Sequence, residues 1–410
     1  MPGKQIKQIS EKEEPEQLDW PPVRKTGGFS QILPGFFDCI FSSFRHREER
    51  YRLGGTYMRY LILDTDTGVD DALAILYALG LEARGVCRLV GVTCTFGNVE
   101  VETAVKNSRA VLDFLGRRDI PVFGGNNRLF GSGEEFVQRP ICRIVHGENG
   151  LGNVDIPMPQ EKTVDKDENV KEKGDKGASD YKRALDYEAG CGESEAVRFL
   201  TEMAELYGER LTVIATASMT NMAEWIQAHR EAALRTGTIA VMGGALTVPG
   251  NVNPFAEANI LADPEAAKFL FESGLSFTMT GLDVTLKTNR RADQMEEKTG
   301  RWREEGGACG KVFADMLSYY CTNEAPSNGK KEGAIHDPMA VAAVFRSQLF
   351  HILEMNLTVE TEGPSRGRTI GDLKRLRDRI KTARVCVDVD EEQFLNEFAE
   401  VCLGAFPKCD

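Results

Sequence analysis

Residues 60 to 76 read YLILDTDTGVDDALAIL, so Asp64, Asp66, Asp70 and Asp71 crowd into a short stretch between two apolar runs. An apolar strand precedes them and a helical-period run follows. In parallel α/β proteins that junction is the carboxyl edge of the sheet, where ligands bind. Helix capping accounts for Asp70 and Asp71, whose charges suit the orphan amides and dipole of a helix start. It leaves Asp64 and Asp66 unexplained. Four carboxylates this close repel one another unless a cation or a shared proton compensates, and hard oxygen donors at this density suit Ca2+ or Mg2+. The spacing is not that of an EF-hand loop: Gly68 falls where its fifth-position ligand belongs, and Ile75 where its bidentate glutamate belongs.

The elements that must hold this cluster follow from residue 59 onward. RYLILDT, DDALAILYALGLEA, CRLVGVTCTFG, ETAVKNSRAVLDFLG and IPVFGG predict strand, helix, strand, helix, strand. The alternation resumes at LTVIATA, TNMAEWIQAHREAAL, TIAVMGGA, DPEAAKFLFESG and LSFTMTGLD. Such a pattern implies βαβ units and an α/β fold, an open, mostly parallel sheet with helices on both faces. Residues 58–410 are expected to form one domain. Residues 1–57 form an N-terminal extension, expected to be partly disordered, whose apolar patch FSQILPGFFDCIFSSF is interrupted by Pro34 and Asp38. Residues 159–195, rich in Lys, Asp, Glu and Gly, interrupt the domain as a charged, solvated insertion expected to be mobile.

Composition narrows the partners. A formal charge of −13 and a pI near 5.1 disfavour nucleic acid and anionic membranes. Ten cysteines at irregular spacings, with no CxxC pair, suit reduced thiols and a cytoplasmic location. The N-terminus lacks the apolar run of a secretory signal, and no apolar stretch approaches the roughly 18 residues that a membrane span needs. The expected partner is a small molecule.

Two resemblances bear on the chemistry. A strand followed by DxDxT and glycine resembles the haloacid-dehalogenase phosphatases, which implies Asp64 as nucleophile and Asp66 as acid/base around Mg2+. That chemistry needs a later lysine and acidic pair, for which GDLKRLRD, in a helical and arginine-rich context, is a poor candidate. The second resemblance rests on DTDTGVDDA with MTNMAEW (219–225), VMGGA (241–245), GNVNPFAEANILADPEAA (250–267), TGLDVT (280–285) and AIHDPMAVA (334–342). In this order, over residues 59 to 405, the blocks resemble the inosine-uridine preferring nucleoside hydrolase family, calcium-dependent N-ribohydrolases with a Rossmann-like fold.

The family resemblance implies hydrolysis of a ribonucleoside to ribose and free base, for salvage or catabolism, by a homo-oligomer (dimer or tetramer). It implies Asp66 as calcium ligand and general base, Asp71 and Asp337 as further ligands, and Thr216 as a backbone-carbonyl ligand. Asp70, Asn98, Asn251, Glu257 and Asn259 would hold the ribose hydroxyls, and Met242 would line the sugar. His336 would meet the leaving base, with His146 and Tyr320 beside it. The chemistry is coherent: N-glycosidic cleavage passes through an oxocarbenium-like sugar, which nearby carboxylates stabilise, and a base must accept a proton from water. Thr67 stands where the family usually has proline, TASMTN where it has TGPLTN, and Glu324 where a second tyrosine is expected. The Thr67 change loosens one loop dihedral, leaves every carboxylate in place and is expected to be tolerated; Glu324 and the TASMTN loop keep a noncatalytic nucleoside- or ribose-binding relative open as an alternative, beside the phosphatase.

Overall fold

The computed structural model describes residues 58–157, 193–324 and 331–407. The extension at 1–57 lies outside the described residues, as does the insertion except for its last three residues, 193–195. Those already belong to the domain: Ser194 caps the helix Glu195–Tyr207 by accepting from the Val197 amide at 3.3 Å.

Ten strands are described: β1 (Arg59–Thr65), β2 (Cys87–Cys94), β3 (Val122–Gly124), β4 (Leu211–Ala215), β5 (Thr238–Met242), β6 (Phe277–Thr280), β7 (Phe350–Met355), β8 (Leu357–Val359), β9 (Thr369–Gly371) and β10 (Ala383–Val389). Eight of them form one sheet in the order β3-β2-β1-β4-β5-β6-β10-β7, parallel but for the antiparallel edge strand β7. β8 and β9 pair as a separate ribbon.

Strand burial explains why apolar runs became central strands. β2 and β4 are buried at every residue, and β1 at every residue after Arg59, because helices cover both faces of the sheet. The helix Val69–Ala83 is apolar around most of its circumference and is correspondingly covered by the helices Gly307–Asn323, Asp337–Phe345 and Glu391–Leu403. Gly80 permits one of these contacts, since a Cβ there would stand 2.2 Å from the Val401 carbonyl.

The strand order locates the site. The chain leaves β1 toward β2 and β3, then returns to β4 on the other side of β1, so the direction of winding reverses between β1 and β4. At such a switch point the loops after adjacent strands diverge and leave a crevice at the carboxyl ends. Those ends carry Asp66 and Thr216, and the Thr216 amide donates to the Asp64 carbonyl at 2.8 Å, extending the β1–β4 ladder to the crevice floor.

Candidate active site

Asp64, the last residue but one of β1, points into the sheet's end and is completely buried. Its Oδ1 accepts from Thr93 Oγ1 and from Asn221 Nδ2, each at 2.7 Å, while Oδ2 has no hydrogen-bond partner. Burial pushes its carboxyl up to about 7, against the pull of those two donors. Asn221 also donates to the Cys94 carbonyl at 3.1 Å, so one amide joins β1, β2 and the helix Thr220–Ala228 beneath the crevice.

Asp66 lies in the loop beyond β1. Asn98 binds it twice: the backbone amide to Oδ2 at 2.5 Å and Nδ2 to Oδ1 at 3.0 Å. Gly97 makes that approach possible, for a Cβ there would fall 1.9 Å from Asp66 Oδ2. Thr67 holds the next bend at φ +21°, a strained value for a β-branched residue and one that proline, fixed near −65°, does not adopt. The bend is secured by hydroxyl contacts from Thr67 to Thr65 at 2.9 Å and to Ser108 at 2.6 Å, and by Asn107 Nδ2 on its carbonyl at 3.1 Å.

Asp71 is held at the start of the helix Val69–Ala83, accepting from the Gly68 amide at 2.9 Å and from Thr216 Oγ1 at 2.8 Å. Asp70, one residue earlier, accepts a long bond from Tyr320 Oη at 3.4 Å, and its Oδ1, 3.7 Å from His146 Nδ1, has no hydrogen-bond partner. Asp337 opens the helix Asp337–Phe345, and its Oδ2 is likewise buried without a partner. Asp70, Asp71 and Asp337 each bring one carboxylate oxygen within 4.8 Å of the others. Asp66 adjoins this trio through Asp71 but spends its oxygens on Asn98.

Electrostatics make the cluster's need explicit. Burial, followed by the charges of the neighbouring aspartates, holds the carboxyls of Asp66 and Asp337 well above the ordinary range. Asp70 is pushed up to about 7 by burial and by Asp71. Partnerless buried carboxylate oxygens are expensive unless a cation or a proton meets them. The donor set, all hard oxygen, fits a divalent cation of the calcium or magnesium type.

The sugar-binding candidates form the crevice's other wall. Glu257 caps the short helix Ala258–Ala262, its oxygens accepting from the amides of Asn259 at 2.9 Å, Ile260 at 3.1 Å and Gly244 at 3.0 Å. Asn259 Nδ2 donates to the Thr216 carbonyl at 2.9 Å and to the Met242 carbonyl at 3.2 Å, tying the ends of β4 and β5 together. The Thr216 carbonyl is therefore half engaged and keeps one lone pair. Asn251 Oδ1 accepts from the Ala258 amide at 3.0 Å.

At the remaining end lie two histidines of opposite character. Burial and the charge of His336 push His146 down to about 3, so its ring is neutral, and Nδ1 accepts from the Val69 amide at 3.2 Å. Its ring centroid is 5.5 Å from that of Tyr320. Burial also opposes charge on His336, but the Glu324 carboxylate, with Asp70 and Glu257, outweighs it and raises the imidazole above its ordinary value. Sequence reasoning missed Thr93, Asn107, Asn221 and Thr285 as supports of Asp64, Thr67 and His336. Asn221 and Thr285 fall within the blocks MTNMAEW and TGLDVT, whereas Thr93 and Asn107 belong to no quoted block.

Comparison with known proteins bears on all of this. Residues 61–396 match the family model "Inosine-uridine preferring nucleoside hydrolase". "Probable uridine nucleosidase 2" of Arabidopsis thaliana is 32% identical over 337 residues, covering 80% of this chain and 93% of the relative. "Pyrimidine-specific ribonucleoside hydrolase RihA" of Shigella boydii is 31% identical over 342 residues, covering 83% and 97% respectively. The solved structure of the "Purine-Preferring Ribonucleoside Hydrolase from Gardnerella vaginalis" superposes with a TM-score of 0.72 at 39% identity, covering 85% of this chain and 99% of that one.

Proposed function

The chain belongs to the inosine-uridine preferring nucleoside hydrolase family and hydrolyses the N-glycosidic bond of ribonucleosides, and from that premise we propose that its ion is calcium and its products serve nucleoside salvage or catabolism. The observation that carries this reading is the buried trio Asp70, Asp71 and Asp337 with two partnerless oxygens, set at the switch point of the sheet. Bound there, calcium would neutralise the carboxylates and lower the pKa of a water molecule beside the sugar.

We assign Asp66, Asp71, Asp337 and the Thr216 carbonyl to the ion. Asp66 accepts the proton from the attacking water, its carboxylate fixed by the two Asn98 donors. Asp70 stands in the same carboxylate group and offers its partnerless oxygen to a ribose hydroxyl. Glu257, Asn259, Asn251 and Asn98 orient the other hydroxyls, and Met242 packs on the sugar. The carboxylates around the ring favour the positive charge that develops as the bond breaks. His336 gives the departing base its proton, while neutral His146 and Tyr320 line the base.

No helix among the described residues is long and apolar enough to cross a membrane. We place the protein in the cytoplasm as a homo-oligomer, a dimer or tetramer, acting on small-molecule nucleosides and not on nucleic acid; the net charge of −13 supports the last point. Incubation with inosine, uridine and an aryl phosphate, with and without calcium, tests the reading. It predicts free base and ribose in the presence of calcium. Phosphate without base would indicate the phosphatase, and nucleoside bound but intact a noncatalytic relative.

A further inference from the structure

The stretch GDLKRLRD finds no use in the candidate active site. Residues 372–384 set Lys374, Arg375, Arg377, Arg379, Lys381 and Arg384 against only Asp372 and Asp378, a basic stretch in a chain of charge −13. Residues 372–382 join β9 to β10 as consecutive turns rather than a helix: the Arg375 amide donates to the Asp372 carbonyl at 3.2 Å, and the Asp378 amide to the Arg375 carbonyl at 3.1 Å. Buried Asn356 fixes these turns from beneath. Its Nδ2 donates to the carbonyls of Arg375 at 3.1 Å and Ile380 at 3.3 Å, and its Oδ1 accepts from the Thr382 amide at 3.0 Å. On that frame Leu373, Leu376 and Ile380 stand 81%, 67% and 76% exposed. Both acids of the loop are engaged, Asp378 by Arg375 at 3.3 Å and Asp372 by the Lys374 amide at 2.9 Å. Among the described residues no carboxylate forms an ion pair with Lys374, Arg377 or Arg379. Exposed bases elsewhere, such as Lys106, Arg301 and Arg366, each meet one.

We propose that this loop is a docking surface for a bilayer that carries anionic phospholipid. Aliphatic side chains that protrude from a loop need no complementary shape in their partner, and the interfacial region of a bilayer accepts them as they stand. The bases between them, free of carboxylates, reach the phosphates and carboxylates of the headgroups. A second copy of the chain fits badly, since a two-fold contact would set one basic loop against another. Nucleic acid would satisfy the bases but leave the aliphatic side chains against a polar backbone. The charge of −13 opposes adsorption of the molecule at large, yet screening within about 8 Å at physiological salt lets a local cluster act alone. The loop lies at the amino edge of the sheet, where the Thr382 carbonyl accepts from the Phe277 amide at 2.9 Å and β10 and β6 begin side by side. A membrane met there faces the edge opposite the carboxylate crevice and leaves catalysis untouched.

Sedimentation of the full chain with vesicles tests this, using phosphatidylcholine alone and phosphatidylcholine with about 30% phosphatidylserine. The protein should partition onto the anionic vesicles about 10-fold more strongly than onto the neutral ones, and lose that binding as salt rises from about 0.1 M to about 0.5 M. Lys374→Glu, Arg377→Glu and Arg379→Glu together should lower the partition about 100-fold, and Leu373→Ser, Leu376→Ser and Ile380→Ser together about 10-fold. Both triple variants should keep uridine and inosine turnover within about twofold of the parent, because the changed residues lie at the far edge of the sheet. If a triple variant does not fold, Leu373→Ser and Arg377→Glu singly must each weaken vesicle binding. Equal binding to both vesicles, no binding to either, or binding that the substitutions leave unaltered overturns the proposal. So does a glutamate-rich peptide that binds the parent and not the charge-reversed variant while anionic vesicles bind neither; the partner would then be an acidic protein segment.

Discussion

Stripping the protein of divalent cation and raising the pH from 6 to 8 should lower its melting temperature, and adding calcium should cancel the fall. Asp64 and Asp70 both have carboxyls raised to about 7 by burial, with the charge of Asp71 adding to it. A raised carboxyl binds a proton in the folded chain that the unfolded chain has already released, so its contribution is fully present below the unfolded value and is lost as pH rises through the folded one. Between pH 6 and 8 that loss is on the order of 3 kcal/mol for the two groups together. His146 works in the opposite sense. Held at about 3 in the fold, it returns about 1 kcal/mol over the same interval, because only the unfolded imidazole releases its proton there.

The net, about 2 kcal/mol, corresponds to about 3 °C for a domain of this size. Asp66 and Asp337, also raised by burial and by their neighbouring aspartates, act in the same direction. Calcium binds the ionised carboxylates and so stabilises more at pH 8 than at pH 6. Calorimetry on chelator-treated and calcium-loaded protein at the two pH values reads both effects. A melting temperature that is level or rises with pH in the stripped protein, or a calcium shift no larger at pH 8, would refute the reasoning.

Three further outcomes follow from the same geometry. Asp66→Asn should keep the Asn98 contacts in part and bind calcium measurably, but lose about 100-fold or more in kcat through removal of the water's proton acceptor. Gly97→Ala should be nearly as damaging without touching any carboxylate, since its Cβ would lie 1.9 Å from Asp66 Oδ2; kcat should fall about 100-fold, the scale of a misplaced catalytic group, with a modest loss of thermal stability. Asn221→Ala removes a 2.7 Å donor from Asp64 and leaves two buried acceptors short. It should cost about 1–3 kcal/mol in a denaturant titration.

The alternation of strands and helices was legible because a parallel sheet covered on both faces demands short apolar runs, and the sequence writes them plainly from β1 to β6. The placement of the candidate site was legible for the same reason: DTDTGVDD follows β1, and the carboxyl end of a central strand is where a crevice opens. The hydrogen-bonding of Asp64 was not. Its partners Thr93 and Asn221 lie 29 and 157 residues away and meet it only because β2 and β4 flank β1. Nor could the order of residues reveal that Asp70, more than Asp66, completes the closest carboxylate trio with Asp71 and Asp337. That depends on how two helix starts converge. Glu324 was visible as a departure and Thr285 as the end of TGLDVT, but neither shows locally that it meets the His336 ring, because the three segments come together only in the fold.

The central claim is that this carboxylate site uses calcium to cleave nucleosides. Its most direct measurement is ribose released from uridine and inosine by chelator-stripped protein as calcium is titrated back. The account predicts turnover that is near zero in the stripped protein and rises to saturation with calcium, with free base appearing mole for mole with ribose. Turnover that persists in chelator, or calcium binding that saturates with no ribose released from either nucleoside, would contradict it.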